Sequence, residues 1–82
     1  MNRIESIRNL PETGTNRNKE YKQVFELIHK NTLNNILYDI VSICEELAKY
    51  HVEEHGDKRR SNEYMRISAF LEDVRKDTPA YL

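Results

Sequence analysis

Four groupings of residues in this chain have types and spacings that chemistry can use. His51-Val52-Glu53-Glu54-His55 puts two imidazoles one helical turn apart with the Glu54 carboxylate beside them, a set that binds zinc once a further protein ligand completes it. Glu26 and His29 stand at i and i+3, the spacing of one half of a di-iron carboxylate site, which needs a second such pair facing it. Cys44 and His51 share a helix face, as a thiol nucleophile and its base would. Seven helical residues separate them by roughly 10 Å, however, while a thiol–imidazole hydrogen bond needs about 3 Å. Lys58-Arg59-Arg60, with Arg66 nearby, is the strongest local charge feature, able to attract phosphate or an acidic partner.

The H-x-x-E-H spacing is similar, over those five residues, to that of the inverted zinc peptidases. A catalytic zinc wants a third protein ligand and a substrate cleft, and little chain follows His55 to provide either. His55 falls in the last turn before Gly56, where the helix dipole favours a cation, and His51 falls on the centre of an apolar face as a packed histidine would. No second Glu-x-x-His faces the first. Cys44 reads as a buried, inert thiol, and two glycines, Gly14 and Gly56, make no phosphate-cradling loop. The expectation is therefore no catalytic residue, no metal, no cofactor and no enzymatic activity. Lys58, Arg59, Arg60 and Arg66 are the candidate contact for an anion or an acidic partner. Glu53, Glu54, Asp57 and Glu63 surround them, and no aromatic residues alternate with them as on a single-strand-binding surface, so nucleic acid is not an expected partner.

The elements that must hold these residues are helical. Apolar residues recur at three- and four-residue steps, and no stretch alternates with period two. Helices are expected over residues 3–10, 19–30, 33–55 and 61–77, with a polar linker over 11–18. Asn2 caps the first helix, with Glu5 three residues on, and Pro11 stops it. Asn18 is the expected cap of the second. Thr32 offers a fresh cap for the third, although one long bent helix through this point fits the spacing as well. Gly56 suits the left-handed residue that closes a helix. The fourth helix is capped by Asp57 or, preferentially, Ser61. It carries Tyr64, Ile67, Phe70, Leu71 and Val74 on one side and ends before Thr78-Pro79, after which Tyr81 and Leu82 fold back. The expected fold is all-α: a small antiparallel bundle of four helices, the first short and the third long and central, forming one domain over residues 1–82.

With 82 residues, 13 Lys+Arg against 14 Asp+Glu, and a single cysteine, several classes drop out. A disulfide scaffold needs paired cysteines. A membrane span needs roughly 18 or more apolar residues in a row, and a secretory signal needs an apolar stretch near the start. A cytoplasmic protein without a membrane span is expected. The third helix has an apolar arc of about 200°, wider than the ~100° of an ordinary surface helix. Its edges supply candidate interface residues: Tyr38, Val41 and Val52 on one side, Ile43 and Tyr50 on the other. Met65, beside Ala69, forms a smaller docking candidate on the fourth helix. A chain of this size buries little more than ~60% of its unfolded surface, so a homodimer or higher oligomer is expected.

These features point to a small regulatory or adaptor protein that works by protein–protein binding through an apolar helix face. With eight Asn and seven Ile in a very small helical chain, the sequence is also similar in type to small accessory proteins of large bacteriophages. That group includes host-takeover factors, anti-defence proteins and the lysis-inhibition accessory protein of T-even phages. The resemblance implies binding to a host or phage protein, and no site residue is carried over from it. A further alternative is an oligomer that sequesters an anionic nucleotide at Arg59 and Arg60.

Overall fold

The three- and four-residue steps fold as helices. The computed structural model describes residues 3–11 and 16–82, apart from the side chain of Asn16. Four helices occur among them, α1 (Arg3–Arg8), α2 (Asn16–Lys30), α3 (Leu33–His55) and α4 (Lys58–Asp77), and no strand. The all-α bundle class is thus the one observed, with a short first helix, a long third one, and α3 closely packed on α4. The residues divide into two compact units, Met1–Asn31 and Thr32–Leu82.

In the first unit, α1 stops at Arg8, two residues short of the expected end. Its last turn tightens instead, with the Asn9 N–H bonding Glu5 O at 2.9 Å and the Leu10 N–H bonding Ile7 O at 3.2 Å. The Asn2 cap lies outside the described residues. The second helix begins at Asn16, inside the stretch read as linker, so Asn18 is not its cap. The Asn18 side chain sits in the first turn and donates from Nδ2 to Pro11 O at 2.7 Å, satisfying a carbonyl that cannot enter the helix. Arg8 Nε meets Glu26 Oε1 at 2.6 Å, which holds the Glu26 carboxyl below its ordinary range.

In the second unit, Thr32 resolves the open question about α2 and α3. Its backbone is extended, and its Oγ1 accepts from the Asn35 N–H at 3.2 Å, which makes it the N-cap of a separate helix. At the other end Gly56 takes φ 61° and ψ 21°, a left-handed conformation that costs a residue with a Cβ roughly 1–2 kcal/mol. The next helix starts three residues earlier than expected. Asp57 caps it, with Oδ1 accepting from the Arg60 N–H at 3.0 Å. Ser61, the preferred cap, is instead buried within α4. A carboxylate one residue after the glycine reaches the free N–H groups directly, so the turn closes in two residues.

The hairpin is antiparallel: Asn34 near the start of α3 meets Arg75 and Thr78 near the end of α4, and His51 meets Tyr64 by the loop. Its seam differs from the apolar stripe expected of α4. The buried residues are Val41, Cys44 and Ala48 on α3 with Ser61 and Ser68 on α4. Small side chains let the backbones approach, and Ser68 Oγ reaches Val41 O at 3.4 Å. Phe70, placed on the inner side by hydrophobicity alone, is 65% exposed.

Polar groups lock the open end of the hairpin. Asn34 Nδ2 donates to Arg75 O at 3.0 Å and Thr78 O at 2.9 Å, carbonyls at a helix end that lack intrahelical partners. Asn34→Leu is expected to leave them unpaired and lower the unfolding free energy by about 1–3 kcal/mol; an unchanged urea midpoint would show that the contact contributes nothing. The backbone N–H of Leu33 donates to Leu82 O, so the tail does fold back, although Tyr81 stays 84% exposed.

Arg75 joins this end to the next turn. Its Nε meets Glu72 Oε2 at 2.9 Å and its Nη1 meets Asn34 Oδ1 at 3.4 Å, while the guanidinium lies 5.6 Å from the centre of the Tyr38 ring. The hydrogen bond from Arg75 lowers the Glu72 carboxyl below its usual 4.5. A carboxyl depressed in the folded state stabilises it above the unfolded pKa, and that contribution is lost as pH falls through the folded value. The urea midpoints of wild type and Glu72→Gln should therefore differ at neutral pH and converge in acid below the ordinary carboxylate range. A gap that is independent of pH would contradict this.

Candidate functional site

Each helix of the hairpin carries a second apolar stripe beside the seam. On α3 this is Ile36, Ile40, Ile43, Leu47 and Tyr50, at steps of four and three; on α4 it is Ile67, Phe70 and Val74. With 3.6 residues per turn, the stripe lies roughly 110° around α3 from its seam and roughly 130° around α4, where Phe70 stands farthest from the seam, roughly 160° from Ser68. Because the helices are antiparallel, both stripes emerge on the same side and join into one face. Ile40 is 39% exposed, Ile43 56%, Tyr50 48%, Ile67 38%, Phe70 65% and Val74 37%. At about 200 Å² for a fully exposed large side chain, the six present on the order of 500 Å² of apolar surface, at the upper end of what a monomer leaves open.

The stripe positions themselves are apolar, while Glu46 on α3 and Arg60 and Glu63 on α4 border the face. Two shallow grooves run along it toward the loop, one lined by Ser42, Ile43, Glu46, Leu47 and Tyr50, the other by Arg60, Glu63, Tyr64 and Ile67. The Tyr50 ring is held in place. Its hydroxyl lies 2.9 Å from His55 Nε2, and His51 and His55 meet it edge-on, with ring centres at 5.1 and 5.0 Å. His51 in turn lies flat against Tyr64 at 5.5 Å. An aromatic fixed before contact loses little freedom on binding.

The candidate interface residues therefore separate. Ile43 and Tyr50 belong to this face. Tyr38 (57% exposed), Val52 and Met65 are also open, but the same rotation places them on the opposite flank, among Glu45, Lys49 and Glu72. Val41 drops out: it is 7% exposed in the seam, covered by α4 and unavailable to a partner. The face also includes Ile40, together with Ile67, Phe70 and Val74 from the apolar side that the spacing gives the fourth helix. The signal for them was the second stripe on α3, at the same alternating spacing as the first.

Most of the side chains singled out for chemistry are engaged otherwise. His51 and His55 have ring centres 6.3 Å apart and contact Tyr64 and Tyr50. Glu26 pairs with Arg8, and His29 stacks on Phe25 at 5.5 Å. Cys44 is buried in the seam. Among the described residues, no three His, Cys, Asp or Glu side chains come together in a way that would hold a metal ion. Lys58, Arg59 and Arg60 form the first turn of α4 rather than a loop. Arg60 Nε lies 3.7 Å from Asp57 Oδ2, and Arg66 Nη2 lies 2.9 Å from Glu63 Oε2. The position an anion would take at this helix N-terminus is filled by the Asp57 carboxylate.

Among the described residues, no helix is long and apolar enough to cross a membrane. No protein-family model, curated protein or solved structure matches the chain.

Proposed function

We propose that this chain is a cytoplasmic, non-enzymatic regulatory or adaptor module that acts by binding protein through the exposed face of the α3–α4 hairpin. The observation that carries the reading is the joined stripe of Ile43, Tyr50 and Phe70, with Phe70 the most open large residue of the hairpin's interior helical turns at 65% exposure. A face of this kind, apolar at its centre and charged at its loop end through Glu54, Arg60 and Glu63, has the make-up of a protein contact surface. Buried aromatics hold most of the affinity in such contacts, and the charged rim tunes approach and specificity.

The test is a binding titration against each protein that co-purifies with the chain, comparing Tyr50→Ala with the double variant Arg59→Ala, Arg60→Ala. Loss of binding with Tyr50→Ala, and retention with the arginine variants, supports the apolar face. Binding that depends on the arginines alone and extends to free nucleotide would favour the anion-sequestering alternative and defeat this reading.

A further inference from the structure

We infer that the face is met by a second copy of this chain, two α3–α4 hairpins closing into a four-helix bundle. The inference rests on reading the face as a protein-binding surface, and it names the partner. The geometry first gives the number of helices that are missing. A helix paired with one neighbour needs one apolar stripe, whereas a helix in a four-helix bundle touches two neighbours and needs two stripes about a quarter-turn apart. Both α3 and α4 have a second stripe, set wider than a quarter-turn from the seam, roughly 110° on α3 and roughly 130° on α4, and both stripes open on the same side. The hairpin therefore lacks two long helices lying side by side. A second copy supplies them, with 23 residues in α3 and 20 in α4. Among the described residues outside the hairpin there is one helix of comparable length, the 15-residue α2, beside the 6-residue α1.

The register of the stripes gives the second argument. Reading up α3 from Ile36, the steps are four and three, to Ile40 and Ile43. Reading down α4 from Val74, they are again four and three, to Phe70 and Ile67. The contact of Ser68 Oγ with Val41 O sets these two series level with one another. If two hairpins face each other with their loops at the same end, α3 of one copy runs antiparallel to α4 of the other. Ile36, Ile40 and Ile43 then meet Val74, Phe70 and Ile67 of the second copy. Near the loops, within about one turn, the same register brings Glu54 toward Arg60 of the second copy, opposite charges at the rim.

Area and stability agree with this. Two faces of on the order of 500 Å² each would remove about 1,000 Å² from water, the size at which specific interfaces begin, before Ile36, Leu47 and Leu71 are counted. The hairpin's own buried apolar residues are Val41, Cys44 and Ala48, a small core for a unit of about 50 residues, and domains of this size commonly gain what they lack from association. Pairing leaves Tyr38, Val52 and Met65 outward on each copy.

Solution mass, measured by light scattering after size exclusion at tens of micromolar, tests the inference. The wild type is expected at about twice the 9.8 kDa chain mass. Phe70→Lys and Ile40→Lys are each expected at the single-chain mass with helical circular dichroism retained, because both side chains are exposed in the single chain. Should a lysine variant lose helicity, Phe70→Ala replaces it, with a dimer dissociation constant expected to weaken roughly 30-fold or more. A wild type at single-chain mass would overturn the inference, as would a dimer that survives these substitutions. A single chain that binds a different protein through Phe70 also overturns it, while leaving the binding reading above intact.

Discussion

Ala48→Phe is expected to prevent the α3–α4 hairpin from forming as a stable unit. Ala48 is 2% exposed at the middle of the seam, where Ser61 and Ser68 of α4 let the two backbones come close. A phenyl ring there has no space to occupy and must push the helices apart. That separation would also break the contact of Ser68 Oγ with Val41 O. Overpacking a filled core typically costs 1–3 kcal/mol and sometimes more. In a unit whose buried apolar set is only Val41, Cys44 and Ala48, such a loss is comparable to the whole net stability. Circular dichroism with thermal melting checks it: the expected result is a broad, non-cooperative transition, and a melt like that of the wild type would show that the seam is not where the structure places it. Ala48→Ser, which adds one oxygen beside two serines, should leave the melt cooperative.

Phe70→Ala is expected to weaken binding to the chain's protein partner by roughly 30-fold or more, which is the ~2 kcal/mol that marks a contact hot spot. Its ring stands 65% exposed on α4, between Ile67 and Val74 along the helix, so truncation costs the free protein little packing. The energy removed is the burial that only complex formation provides. Met65→Ala, on the opposite flank, should change the same affinity by less than about threefold, since scattered exposed apolar residues carry little energy unless a partner buries them. Sedimentation equilibrium of each variant reads both where the face meets a second copy, and titration calorimetry does so where it binds a different protein. Equal losses for the two variants, or a larger loss for Met65, would move the contact to the other flank of the hairpin.

Local signals in the sequence located most of the helices. Thr32 and Gly56 delimit α3 because each does something a helix interior cannot: an extended residue with a hydroxyl at the start, and a left-handed residue at the end. Where two caps competed, the choice of Ser61 over Asp57 failed. Both side chains can accept from a free N–H, and the competition was settled by how few residues the turn needed. The same holds for Asn18, whose amide serves Pro11 instead of a helix start.

The seam was harder to read. Hydrophobicity ranks Ile67, Phe70 and Val74 as the inner side of α4, yet the helix turns Ser61, Ser68 and Arg75 toward α3. Small residues gain contact through backbone proximity, and Asn34 and Arg75 gain it through hydrogen bonds to helix ends; neither shows in an apolar count. This rotation of the seam is also why Phe70 was missing from the candidate site while Val41 was included. The wide apolar arc of α3 was the visible clue, since one stripe serves the hairpin and the other stays largely exposed.

Hydroxyl-radical footprinting of the protein in its native assembly tests the central claim most directly, because the chain carries its own controls. Tyr50 and Phe70 lie on the proposed contact face, Tyr38 lies on the opposite flank, and Tyr81 is 84% exposed in the tail. Protection of Tyr50 and Phe70, with Tyr38 and Tyr81 reacting freely, is the predicted result. Phe70 oxidised as readily as Tyr81 in the assembled protein would contradict the account.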